Sequence, residues 1–163
     1  MSGPLGSSQW MYASGGYEID QSLRFNQPDD ATLSKTFASA GNRRTWTFSC
    51  WVKIGNLAAE GGGGQLGIFG AYTGGSDTAN IQVDGSSGEF HFEHYYSSYV
   101  GGLQVTEAKL RDMSAWYHLM VAYDTTQGTE ADRIKLYVNG TQMTTKTGGD
   151  HSYPAENYEG KFK

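Results

Sequence analysis

The residues best suited to chemistry stand together: Glu89-Phe90-His91-Phe92-Glu93, with Tyr95, Tyr96 and Tyr99 close behind. Two carboxylates flanking an imidazole could do acid–base work on a sugar. They could also hydrogen-bond sugar hydroxyls while the tyrosines stack on the ring. Polar and apolar residues alternate here, as on a half-buried strand, so Glu89, His91, Glu93 and Tyr95 share one face, opposite Phe90, Phe92 and His94. Spacing separates the chemistries. Positions four apart on a strand lie about 13 Å apart, whereas glycosidase carboxyls lie about 5 Å apart when retaining and about 6.5–9.5 Å when inverting. Binding fits that spacing better than hydrolysis, and a plain polar sheet face fits it too.

Trp51 is the second candidate. In Thr45–Ile54 the even positions Trp46, Phe48, Cys50, Val52 and Ile54 are apolar, and Trp51 alone puts a large ring on the polar face. On an open face it would be a stacking platform; under another layer it would be core. His91 and His94 face opposite sides of their strand and cannot chelate together. The glycines at 61–64 lack the Lys-Ser/Thr that a phosphate loop needs, and no zinc spacing or Ser-His-Asp order stands out.

The elements that position these residues read as strands. Besides Thr45–Ile54, alternation marks Leu23/Phe25, Leu66/Ile68, Ile81/Val83, Phe90/Phe92, Leu119/Val121/Tyr123 and Ile134/Leu136/Val138. Asp84-Gly85-Ser86-Ser87-Gly88 joins two of these runs, and Asn139-Gly140 predicts a type I′ hairpin, since both residues accept positive φ. One helical turn is expected near Ala108–Ser114. Closely spaced strands without helices between them predict an antiparallel sandwich.

Composition agrees. Of 163 residues, 23 are Gly, 11 are Tyr and 3 are Pro, a balance favouring turns over long helices. A net charge of −5 with no basic patch argues against nucleic-acid binding. The lone Cys50 excludes an internal disulfide. No run approaches the roughly 20 apolar residues of a membrane span, and the N-terminus lacks the features of a secretory signal. Residues 1–16 read as a flexible arm. Its Gly3-Pro4-Leu5-Gly6-Ser7 resembles a protease-cleaved tag remnant, and Trp10, Met11 and Tyr12 form a candidate docking peptide.

Trp116-Tyr117-His118-Leu119-Met120-Val121-Ala122-Tyr123-Asp124, followed by Arg133-Ile134-Lys135-Leu136-Tyr137-Val138-Asn139-Gly140, resembles the signature hairpin of concanavalin A-like (laminin G-like) jelly-roll domains. Thr47–Lys53 resembles their earlier core strand. Tyr17–Asn26, Ala40–Trp46 and Tyr153–Tyr158 are similar to segments of such domains in phage structural proteins. The resemblance covers residues 17–158 and implies an all-β, antiparallel two-sheet jelly roll over 17–163. Relatives continue into a closing strand that is not found before Lys163, so either the sequence is truncated short of it or another segment or subunit is expected to supply it.

For function, the resemblance implies a virion-associated, non-catalytic carbohydrate-binding module. Its partners would be host surface glycans, other virion subunits or further copies of the chain. A structural decoration or fibre domain docked through the arm is the alternative, and an atypical glycanase a third; glycanases of this type carry a central Asp where this chain has His91. The frequency of Trp at the Trp51 place in such domains favours core. Calcium is the one cofactor implied, with Asp77, Asp84 and Asp124 in or near rim loops as candidate ligands.

Overall fold

The computed structural model describes residues 22–25, 31–55, 64–72, 77–96, 101–149 and 151–162. The arm with Trp10, Met11 and Tyr12 lies outside them, as does Tyr99. The chain divides into one unit over Met1–Thr36 and another over Phe37–Lys163. In the first, the strand expected at Leu23/Phe25 does not form: residues 22–25 join no ladder, and Leu23 and Phe25 are exposed. Alternation proposes a strand, but only a hydrogen-bonded neighbour makes one.

The second unit carries β1 (Thr45–Lys53), β2 (Gln65–Tyr72), β3 (Asp77–Asp84), β4 (Glu89–Tyr96), β5 (Leu103–Lys109), β6 (Trp116–Asp124), β7 (Ile134–Val138) and β8 (Thr141–Gln142). They form two four-stranded sheets, β1-β6-β7-β8 and β2-β3-β4-β5, antiparallel throughout. Each sheet turns its apolar positions toward the other. Ile81, Val83, Phe90 and Phe92 meet Leu119, Val121, Tyr123 and Leu136 in one buried cluster. Burying such side chains contributes about 1.5–3 kcal/mol each, which fixes the register, because a one-residue slip would turn every one of them outward.

Aromatic rings bridge the layers. Trp46 stacks on Tyr123 at 4.8 Å and meets the edge of Phe162 at 5.1 Å. β1 and β2 are the edge strands of their sheets, and Phe48 stacks on Phe69 between them at 5.0 Å. The even side chains of β1 are only partly buried for that reason.

Asn139 (φ 51°) and Gly140 (φ 80°) make the expected turn between β7 and β8. The helical turn expected at Ala108–Ser114 is absent. β5 runs to Lys109, Leu110 N–H donates to Gly88 O at 2.7 Å, and Asp112 Oδ1 accepts from Ser114 N–H and Oγ–H. That side chain competes for backbone donors and favours a turn. Among the described residues a 3₁₀ turn forms instead at Glu130–Asp132. After β8 the chain crosses to the outer edge of β5, where Lys146 N–H donates to Val105 O and Leu103 exchanges both backbone bonds with Ser152.

Candidate functional site

The pairing of β2, β3 and β4 arranges the outward residues in rows. Tyr72, Thr78 and Tyr95 stand abreast, then Gly70, Asn80 and Glu93, then Gly67, Gln82 and His91. Strands two apart are separated by about 10 Å, so the two tyrosines flank Thr78. Tyr72 is exposed, and Thr78, Asn80, Glu93 and Tyr95 are half-buried. Asn80 Nδ2 donates to Glu93 Oε1 at 2.9 Å, which orients both groups. The two glycines of β2 leave the neighbouring floor without side chains. Such a surface offers rings for stacking and fixed acceptors and donors for hydroxyls.

At the other end of β4 the face closes. Glu89 is buried at 7% exposure, with Lys146 Nζ at 2.8 Å and Lys109 Nζ at 3.5 Å. Burial alone would raise its pKa, but the Lys146 hydrogen bond, the Ser87 hydroxyl and the two lysine charges outweigh it and hold the carboxyl below its ordinary value. His91 lies between, its Nε2 buried without a hydrogen-bond partner and 4.0 Å from Glu89 Oε2.

The structure therefore divides the sequence candidates. Glu89, His91, Glu93 and Tyr95 share a face, as the alternation predicts, but only Glu93 and Tyr95 belong to its open half. Tyr96 is on the other side, in a recess with Arg43, Asp77, His94, Tyr158 and Lys161. There Asp77 pairs with Lys161 and stands 3.5 Å from buried His94 Nε2. Trp51 lies on the outer face of the opposite sheet and is 55% exposed, so it is not core. Tyr72 and Thr78 had no signal in the sequence, because only the register places them beside Tyr95.

A family profile described as the concanavalin A-like lectin/glucanases superfamily matches residues 25–160. The chain belongs to this superfamily. No curated protein and no solved structure matches it.

Calcium, known in laminin G-like domains of this superfamily, does not fit the aspartates present. Asp77 and Asp84 are at opposite ends of β3, about 23 Å apart along the strand. Asp77 is engaged by Lys161, Asp84 by Ser86 and Ser87, and Asp124 by Thr126 and Gln127. No three His, Cys, Asp or Glu side chains converge to hold a metal among the described residues. Calcium needs six to eight oxygens at about 2.3–2.6 Å.

Acid should unfold this superfamily member in two stages. Burial holds the His91 and His94 imidazoles below the ordinary histidine value despite the carboxylates beside them. Below about pH 6.5 the unfolded chain therefore protonates first, and stability falls with pH toward the lower folded-state values. Asp84, held low chiefly by the Ser86 hydroxyl, and Asp124, held low chiefly by Thr126, keep their contribution until pH falls below about 4. Urea midpoints should decline from pH 7 to 5 and then more steeply, with His91→Gln and His94→Gln each flattening the first stage. A flat profile from pH 7 to 5 would refute the histidine assignment.

Proposed function

We propose that the chain is a non-catalytic carbohydrate-binding module of a phage virion, taking host surface glycans on the outer face of β2, β3 and β4. The observation that carries the reading is the row Tyr72–Thr78–Tyr95 beside the oriented Asn80–Glu93 pair. Stacking holds the ring and the amide–carboxylate pair selects its hydroxyls. The absence of catalysis is supported by Glu89: an anion buried between two lysines is neither a proton donor nor an open nucleophile, and His91 occupies the central position between the two glutamates. The virion setting rests on the likeness of Tyr17–Asn26, Ala40–Trp46 and Tyr153–Tyr158 to phage structural proteins. One shallow site binds weakly, and copies on a particle add avidity.

A glycan array tests this. The parent protein should bind a restricted set of glycans, and Tyr72→Ala with Tyr95→Ala should weaken binding about tenfold or more. Silence across the array would leave the second reading, a decoration or fibre domain. Its support is separate: β1 and β2 are both sheet edges, and Phe69 between them is 41% exposed, a surface suited to a neighbouring chain.

A further inference from the structure

We propose that the outer face of the other sheet, β1-β6-β7-β8, is a second carbohydrate site that stacks on the apolar ring faces of a neutral glycan. The proposal rests on the carbohydrate-binding reading above and adds a ligand class and a separate surface. Trp51 on β1 pairs with His118 on β6, and Trp116 follows two residues earlier on β6 opposite Lys53. The indoles are 55% and 49% exposed, although a Trp at an outward sheet position has no core to fill. Two such rings on adjacent strands are within reach of one oligosaccharide.

The surroundings select the ligand. Outward positions of β1, β6 and β7 carry Thr, Ser, Trp, Lys, His, Met, Ala, Asp and Tyr, with no Val, Ile or Leu. A protein interface built like a divided core would be aliphatic; rings interleaved with hydroxyls suit a sugar. From Ser49 through Trp51 and Met120 to Tyr137 the face holds no carboxylate, and Lys53 opposite Trp116 is the one charge at the indole platform, unlike the opposite face with Glu89, Glu93, Lys109 and Lys146. A neutral glycan fits the one and not the other.

The platform is also held in place. Ser49 Oγ and His118 Nε2 are 2.7 Å apart, and the Trp51 ring leans on the imidazole with centroids 5.2 Å apart. The His118 backbone is pinned by the hairpin turn, its N–H donating to Asn139 Oδ1 at 2.9 Å and its C=O accepting from Asn139 N–H at 2.8 Å. A ring fixed before binding, as Trp51 is, loses little freedom on binding.

The test compares three proteins: the parent, Trp51→Ala with Trp116→Ala, and Tyr72→Ala with Tyr95→Ala. Each is titrated with neutral gluco- and galacto-oligosaccharides, reading intrinsic tryptophan fluorescence and array binding. Loss of about tenfold or more in neutral-glycan affinity in the tryptophan pair, with the tyrosine pair retaining it, is expected. Trp51→Phe should keep most of the affinity and guards against misfolding. Unchanged neutral-glycan binding in the tryptophan pair overturns this proposal alone, whereas silence of the parent overturns both readings. Self-association that Trp51→Ala abolishes, with no glycan response at this face, would make the surface a protein contact and also overturn it.

Discussion

Replacing Phe162 with Ala is expected to cost about 3–5 kcal/mol of unfolding free energy, the range for emptying a buried aromatic site. The ring is 8% exposed and lies against three others: Trp46 at 5.1 Å, Phe69 at 4.9 Å and Phe92 at 6.5 Å between centroids. Trp46 and Phe69 belong to edge strands of different sheets, so Phe162 fills the space where the layers would otherwise part. The preceding residues seat it. Gly160 N–H donates to Arg43 O at 2.9 Å, Arg43 Nε donates to Gly160 O at 2.7 Å, and Lys161 pairs with Asp77. Against a total stability of about 5–15 kcal/mol, such a loss leaves the domain marginal. Urea unfolding followed by Trp fluorescence measures it. A loss under about 1 kcal/mol would mean that the ring is not seated in the core.

Much of this architecture was legible because the decisive information is local. β1, β4, β6 and β7 announce themselves by alternation, and Asn139-Gly140 closes its hairpin with a residue pair that takes both positive φ values cheaply. β5 was not legible. Gln104 stands opposite Phe92 on the inward side, and Thr106 is equally buried, so polar residues occupy the positions that pattern reading reserves for apolar ones. Thr106 is paired on both sides, whereas Gln104 is half paired, its Oε1 buried without a hydrogen-bond partner. Thr106 Oγ1 accepts from Phe90 N–H and donates to Ala108 O, and Gln104 Nε2 donates to Ser152 O. The candidate site was half legible for the same reason. One strand's alternation puts Glu93 and Tyr95 on a face, but Tyr72 joins them only through the register of two further ladders, one of them shifted between Gly67 and Phe69. Trp51 showed itself as an exception to its strand, yet its exposure depends on what lies above the sheet, which no local pattern encodes.

Arg133 carries the second large effect. It follows the 3₁₀ turn, is 9% exposed, and spends its guanidinium on backbone carbonyls: Gln127 O at 2.9 Å, Gly128 O at 3.1 Å and Pro154 O at 2.9 Å. The Glu156 carboxylate is 4.0 Å away and itself mostly exposed, so the three carbonyls do most of the holding. They belong to the β6–β7 connection and to the tail that runs back along the sandwich, which makes one side chain the tie between Gln127–Gly128 and Pro154. Arg133→Ala removes three charge-assisted donors and strands the buried Pro154 carbonyl, an expected loss of about 2–4 kcal/mol. Arg133→Lys should recover less than half of that. A single ammonium keeps the charge but cannot span the planar fork that reaches both segments at once. Hydrogen exchange adds the discriminating readout: in Arg133→Lys the amides bonded near Pro154, such as Asn157 N–H to Thr125 O at 2.7 Å, should exchange faster while those of the β1–β6 ladder keep their protection. Equal stability of Arg133→Lys and the parent would show that charge alone, and not the fork, holds the tail.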